Sequence, residues 1–277
     1  MKTKINTKNL PLYAVYTWLF LFGFIPLSLV FIASFFSRDA THLITLPLTL
    51  AHYKALFSPL LGHVMLRSLV MALITTCACL LIAYPFSYFM VRSKHQSLLL
   101  LLIIIPFWTS SLVRTYALVA ILKFNGVLNT LLLKMHLITV PLPLLYSNFA
   151  VISGLIYTLF PFMVLPLFSN MEHFDFRLFE AAEDLGANRW TLFFRVFLPN
   201  TTRGIVSGAL LVFLPAMTLF YIPNVLGGAR SILIGNLIQN QFLVEENWPA
   251  GAATSICLTV LLLLLMLIYR RPRGVQS

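Results

Sequence analysis

The sequence predicts an all-α polytopic membrane protein with six transmembrane helices. Two compositional features and one of arrangement carry that expectation. Of the 277 residues, 60% are hydrophobic and only 10% charged, and the mean hydropathy of +0.91 lies far outside soluble usage. Several apolar runs exceed the ~18 residues that mark a membrane-crossing helix.

Taken in order, the runs place spans at about 11–36, 64–91, 97–123, 143–169, 203–224 and 250–270. The first follows Lys2, Lys4 and Lys8, which imitates a secretory leader. Its apolar stretch from Pro11 to Phe36 is too long for a leader core and lacks a small-residue exit site, so an uncleaved span is expected. Prolines 26, 85, 106, 161, 166 and 215 fall within the runs. Membrane helices tolerate them where neighbouring groups satisfy the freed carbonyls.

Basic residues set the orientation. An even number of spans puts both termini on one side. Twelve of the nineteen lysines and arginines fall on that side (Lys2, Lys4, Lys8, Arg92, Lys94, Arg177, Arg189, Arg195, Arg203, Arg270, Arg271 and Arg273) and seven on the other. Both termini are therefore expected in the cytoplasm. Segments 92–96 and 170–202 then face inward, and 37–63, 124–142 and 225–249 outward. Phe124 to Ile138 has helical apolar spacing and is expected to lie along the membrane interface.

A net charge of +11 would suggest nucleic acid in a soluble protein. Here the basic residues punctuate apolar runs, and no basic groove interleaved with aromatics occurs, so no nucleic-acid partner is expected. Cys77, Cys79 and Cys257 lie inside apolar runs, where core packing is the expectation. The six histidines have no metal-ligand spacing, and no nucleophile–base set or phosphate-cradling glycine loop is present. The chain is expected to be non-catalytic and to hold no metal or cofactor of its own.

Its acids are unevenly spread. Five of the eight (Glu172, Asp175, Glu180, Glu183 and Asp184) fall within thirteen residues of the long inward loop. Asp175 suits the N-cap of a helix starting near Phe176. Leu178, Ala182 and Leu185 share one helical face, and Gly186 suits the position just past the helix end, where φ is positive. Asn188 can cap a second short helix from Arg189, with Pro199 expected to stop it. The loop thus reads as a compact helix–turn–helix knob. Small Ala181 and Ala182 permit close approach to a partner, and Glu180, Glu183 and Asp184 can meet basic groups there. A merely solvated loop remains open on the residues alone.

Glu180-Ala181-Ala182, then Gly186, then Val196-Phe197-Leu198-Pro199, resembles the EAA loop of ABC-importer permeases. Nine residues separate Gly186 from Val196, as in that motif, and valine replaces the commoner isoleucine. PFWTSSLVRTYAL (106–118), LLVFLPAMTLFYIPNVLGGA (210–229), LIGNLIQNQFL (233–243) and WPAGAATSI (248–256) extend the resemblance to the permease subunits of spermidine/putrescine importers. The resemblance implies the type I importer fold, with residues 1–277 one transmembrane permease domain in the bacterial inner membrane. It also implies that Glu180, Ala181, Ala182, Glu183, Asp184, Gly186, Leu198 and Pro199 couple to a separate ATPase. The implied partners are a second homologous permease, two ATPase subunits that bind ATP and Mg, a periplasmic polyamine-binding protein, and membrane lipid.

None of the six expected spans contains Asp or Glu. Intramembrane carboxylates usually mark ion or proton pathways, so a secondary transporter half, or a scaffold, is the disfavoured alternative. An importer of another small solute is the alternative within the same fold. A polycation would have to pass aromatic faces and backbone carbonyls. Candidate pathway residues are Trp108, Thr109 and Ser110 after Pro106, and Tyr221 and Asn224 beside Pro223. Arg114 is expected to pack or to snorkel. Glu245 and Glu246, which with Asp39 are the only outward acids, are candidates for docking the binding protein.

Overall fold

A computed structural model describes residues 10–38, 43–228 and 231–270 of the chain. Lys2, Lys4, Lys8, Asp39, Arg230, Arg271 and Arg273 lie outside the described residues. The helices in order are α1 (Leu10–Leu19), a π-helical turn (Phe20–Phe24), α2 (Ile25–Ala33), α3 (Ala51–Leu56), α4 (Pro59–Arg92), α5 (Gln96–Ile104), a 3-10 turn (Ile105–Trp108), α6 (Ser111–Leu122) and α7 (Val127–Lys134). There follow α8 (Asn148–Glu172), α9 (Arg177–Asp184), α10 (Arg189–Thr191), a π-helical segment (Leu192–Phe197), α11 (Leu198–Thr218), a second π segment (Pro223–Gly227), α12 (Ile234–Leu243) and α13 (Trp248–Arg270). Six helical stretches among the described residues are long and apolar enough to cross a membrane.

The third span departs from the expected 97–123. Pro106 has no N–H to continue the ladder, the chain tightens into the 3-10 turn, and Thr109 is extended at φ −87° and ψ 149°. The long apolar stretch therefore begins only at Ser111 and reaches Lys134. Within it, α7 forms the middle part of the helix expected over 124–138. Buried Asn129 ties α7 down, donating to the Phe124 and Leu142 carbonyls at 3.0 and 2.9 Å and accepting from Leu142 N–H at 3.0 Å.

Pro199 also behaves differently from the expectation that it stops a helix. The chain stays helical from Arg189 to Thr218. The wider π register over Leu192–Phe197 precedes the proline, which then occupies the first turn of α11, where a missing N–H is tolerated. The same run ends at Thr218, short of the expected 224, because Leu219 is extended at φ −62° and ψ 124°. The α8 start is set by Ser147, whose Oγ accepts from Ala150 N–H at 3.2 Å. Of the cysteines, Cys79 is buried but Cys77 is exposed, so the latter is no part of a core.

The chain falls into two compact units, Met1–Gly62 with Leu237–Ser277, and His63–Asn236. In the first, α2 and α3 pack on α13. The Ser34 and Tyr53 hydroxyls share a 2.7 Å hydrogen bond, and the Phe242 ring meets Trp248 edge-on at 6.0 Å.

The second unit is built on α8 against α11, its most extensive helix pair. Gly204 and Gly208, four apart on α11, make that closeness possible. A Cβ on Gly208 would stand 2.7 Å from Met163 Sδ, and one on Gly204 would stand 3.0 Å from the Pro166 carbonyl. Small residues at this spacing let helix backbones approach where lipid offers no hydrophobic drive. Apolar α8 residues Leu155, Leu159, Met163 and Leu167 are fully buried there. At one end of this unit, the Arg92 guanidinium lies 5.2 Å from the Phe176 ring centre, bringing 92–96 and 170–202 together. At the other end, Ser68 Oγ accepts from Ile234 N–H at 2.8 Å, and Arg67 donates to Asn148 at 2.9 Å.

Candidate functional site

The inward loop folds as two capped helices around a tight turn. The helix α9 starts one residue later than expected, with Phe176 at its N-cap; Asp175 lies just ahead of it, and its Oδ1 accepts from Arg177 N–H, the first of the helix, at 3.0 Å. At the far end, Gly186 sits at φ +82°. Its N–H donates to the Glu183 carbonyl at 2.8 Å, and Ala187 N–H donates to the Ala182 carbonyl at 3.0 Å. This pair of bonds is the Schellman closure, which needs a left-handed residue at the glycine position. Asn188 then accepts from Thr191 N–H at 2.8 Å and from its hydroxyl at 2.9 Å, starting α10.

Every carboxylate of this knob is exposed, and none is ion-paired among the described residues. Ala182 is half-buried and Ala181 exposed. Leu178 and Leu185, expected on one face with Ala182, are exposed, Leu185 at 90%. Trp190 is also 72% exposed. The outer surface of the knob therefore carries small residues, acids and uncovered apolar side chains together.

Its inner surface is aromatic. Phe197 is 1% exposed and lies edge-on to Phe174, Phe179, Tyr84 and Tyr88 at centroid distances of 5.1, 5.8, 6.0 and 5.2 Å. Rings in this geometry gain beyond their burial. The Tyr84 hydroxyl is shared with Thr201 at 2.8 Å. The cluster thus fastens α9 to α4 and to the start of α11. Leu198 is half-buried beside it, and Pro199 is exposed.

The expected pathway residues group in part. Trp108 projects from the 3-10 turn and is 85% exposed. Thr109 donates to the Pro106 carbonyl at 2.7 Å, and Ser110 leads into α6. Half-buried Tyr221 is hydrogen-bonded to Ser111, which brings the two candidate segments together. Asn224 is exposed and hydrogen-bonds Asn236. Asn236 itself is buried and anchors the region, donating to the Phe220 carbonyl at 2.8 Å and accepting from Leu233 N–H at 3.1 Å. Arg114 is half-buried, its guanidinium 4.8 Å from the Phe107 ring centre and 6.0 Å from that of Tyr157, so it packs by cation–π contact. Glu245 and Glu246 are exposed in the other unit, Glu246 at φ +51°.

Residues 80–271 match the model of the family described as "Binding-protein-dependent transport system inner membrane component". The chain belongs to that family. Among curated members of this inner-membrane transport family, the spermidine/putrescine transport system permease protein PotB of Haemophilus influenzae is 47% identical over 271 residues, covering 96% of this chain and 95% of the relative. PotB of Escherichia coli K12 is 47% identical over 256 residues, covering 92% and 93%. The inner membrane ABC transporter permease protein YdcU of the same organism is 30% identical over 247 residues, covering 84% and 79%. Among solved structures, a bacterial alginate ABC transporter with an alginate pentasaccharide-bound periplasmic protein contains a chain that superposes with TM-score 0.75. The identity is 17%, and 94% of this chain and 93% of that one are covered. The fold is thus that of an ABC-importer permease.

Within the transport-component family frame, the chain is a membrane-spanning subunit of a binding-protein-dependent system. Sequence reasoning overlooked two groups in it. The ring cluster around Phe197 was visible as Phe193 and Phe197 at i, i+4 following Phe176 and Phe179, but nothing local says that they converge. Asn236 carries no signal beyond being a polar residue in an apolar stretch.

Proposed function

We propose that this chain is one half of the translocation pathway of an ATP-driven polyamine importer and carries spermidine and putrescine inward. The observation that carries the reading is the 47% identity to spermidine/putrescine permeases over almost the whole of both chains. In this reading both termini face the cytoplasm, and a second homologous permease completes the pathway. Two ATPase subunits hold ATP and Mg, and a periplasmic polyamine-binding protein delivers the solute.

The knob formed by Glu180, Ala181, Ala182, Glu183, Asp184 and Gly186 docks in the ATPase. Movement there passes through the Phe197 cluster as a rigid displacement into α4 and α11. On the pathway side, Trp108 and Tyr221 offer π faces to a passing polycation, with Thr109, Ser110 and Asn224 as neutral polar groups. Rings attract cations without trapping them. Among the described spans the only carboxylate is Glu172, at the last residue of α8, so strongly binding acids belong to the partner permease or the binding protein. Glu245 and Glu246 serve as a docking patch for that protein.

The test is uptake of labelled spermidine and putrescine by cells whose other polyamine importers are deleted, with this chain and its genomic neighbours restored. Uptake that needs this chain and the neighbouring ATPase is expected. Uptake of a different solute alone, with polyamines neither transported nor competing, would overturn the substrate while leaving the permease role.

A further inference from the structure

A furrow of about 810 Å³ opens on the second unit, between α4, the π segment and the knob. Its α4 wall is a single helical stripe of Leu81, Tyr84, Pro85, Tyr88 and Arg92. From Leu81 to Arg92 that stripe climbs about 16 Å at 1.5 Å per residue. One leaflet of a bilayer's hydrocarbon is about 15 Å deep, so the furrow is about as long as one leaflet is deep.

Its chemistry changes along that length. The deep end is apolar, with Leu80 and Leu81 facing Leu198 and Ile205. The shallow end holds the guanidinium groups of Arg92 and Arg189, together with Glu183. Polar atoms on the walls are already used. Tyr84 OH is shared with Thr201 at 2.8 Å, and Tyr88 OH accepts from Arg92 Nη1 at 2.8 Å. The tyrosine bond and the rings of Tyr88 and Phe176, 5.7 and 5.2 Å from the Arg92 guanidinium, hold that side chain in place. Neither arginine is ion-paired among the described residues. Most of their ten N–H donors therefore have no protein acceptor, and the rim keeps one net positive charge after Glu183 is counted.

We infer that this furrow is a binding site for an anionic phospholipid. One acyl chain lies along the Leu81–Pro85 stripe, and the phosphate sits between Arg92 and Arg189. A guanidinium pre-set against rings is suited to bidentate phosphate contact, and basic recesses beside membrane helices select anionic headgroups. In the orientation proposed above, the lipid comes from the cytoplasmic leaflet and touches both α4 and the knob.

The test purifies the intact transporter from a membrane containing phosphatidylglycerol and phosphatidylethanolamine, and counts retained lipid by native mass spectrometry after detergent exchange. R92Q/R189Q should lose phosphatidylglycerol by roughly tenfold or more, since two charge-assisted contacts vanish. K94Q/R195Q removes the same charge from outside the furrow lining and should retain it. L81W, at a position 75% exposed, should block the acyl chain and lose the lipid with all charges intact. Equal retention in R92Q/R189Q and K94Q/R195Q overturns the site, as does a photo-crosslinker at Leu81 that captures a partner subunit rather than lipid. A transporter of another solute would still retain the lipid, so the outcome is independent of the polyamine assignment.

Discussion

Substituting Gly186 separates backbone conformation from bulk at the knob. Its φ of +82° costs an ordinary L-residue about 1–2 kcal/mol, roughly a 5- to 30-fold shift against the closed turn. Among the described residues beyond its chain neighbours, nothing stands within 4 Å of an added Cβ, so Gly186→Ala meets no clash and bears the conformational cost alone. The two Schellman bonds and the Asn188 cap oppose that cost, and Gly186→Asn tolerates left-handed φ and should stay close to wild type. Gly186→Trp carries the same backbone strain as alanine plus a bulky ring pointing into open space. If that space receives the ATPase, the tryptophan variant should insert normally but lose uptake altogether, while alanine keeps a measurable fraction. Membrane insertion, the amount of co-purified ATPase and polyamine uptake are measured on all three. Equal uptake by the alanine and tryptophan variants would refute close approach at this turn, and so would normal ATPase association with unchanged uptake in the tryptophan variant.

Phe197→Ala should cost about 3–5 kcal/mol by emptying the centre of five rings, read as a lowered melting temperature and ATP hydrolysis no longer stimulated by the binding protein; Phe197→Leu should cost under about 1.5 kcal/mol. Trp108→Ala should reduce polyamine uptake more than assembly, because a side chain 85% exposed contributes little to this chain's packing; a fall only in proportion to protein level makes it structural. Tyr221→Phe should lose about 0.5–1.5 kcal/mol with the Ser111 bond yet keep uptake, whereas Tyr221→Ala should lose uptake if, as proposed, the ring meets the cation. Glu180→Lys should weaken ATPase association more at low salt than at high salt, and equal weakening at both refutes an electrostatic contribution. Asn236→Leu should destabilise the second unit by about 1–3 kcal/mol, seen in thermal unfolding, because the buried Leu233 N–H loses its acceptor, while the Phe220 carbonyl keeps only its bond from Asn224 N–H.

How much was legible depended on how local the controlling physics is. The spans follow from hydropathy, and the knob from capping chemistry written in adjacent residues. Asp175, Gly186 and Asn188 each act within three residues of themselves. The errors fell where a proline's effect depends on the register before it. Pro106 ends a helix as the chain around it tightens to a 3-10 turn, Ile105–Trp108, whereas Pro199 follows a stretch widened to π and is absorbed into the first turn of the next helix. Both prolines follow largely apolar stretches, and periodicity does not distinguish the two outcomes. The pairing of Ser111 with Tyr221 and the convergence of rings on Phe197 are long-range facts. They depend on how close α8 and α11 come, which the Gly204–Gly208 spacing permits but does not announce.

In the proposed docking with an ATPase, the two surfaces of the knob divide the labour of coupling. A rigid transmitter must resist deformation where it meets the membrane helices, and close-packed rings in low-energy contacts do that without any charge to desolvate. Buried carboxylates in the same place would have carried the cost of desolvation. Placing the acids outside leaves them hydrated until a partner arrives. There they can steer association and set its specificity at little cost to the permease alone. Ala181, Ala182 and Gly186 then determine how closely the partner can approach. In that proposed role, charge on this knob governs which surface it meets and how fast, while the small residues and the aromatic cluster behind them govern how faithfully a displacement is passed on. That division accounts for a chain only 10% charged concentrating five of its eight acids within thirteen residues of one loop.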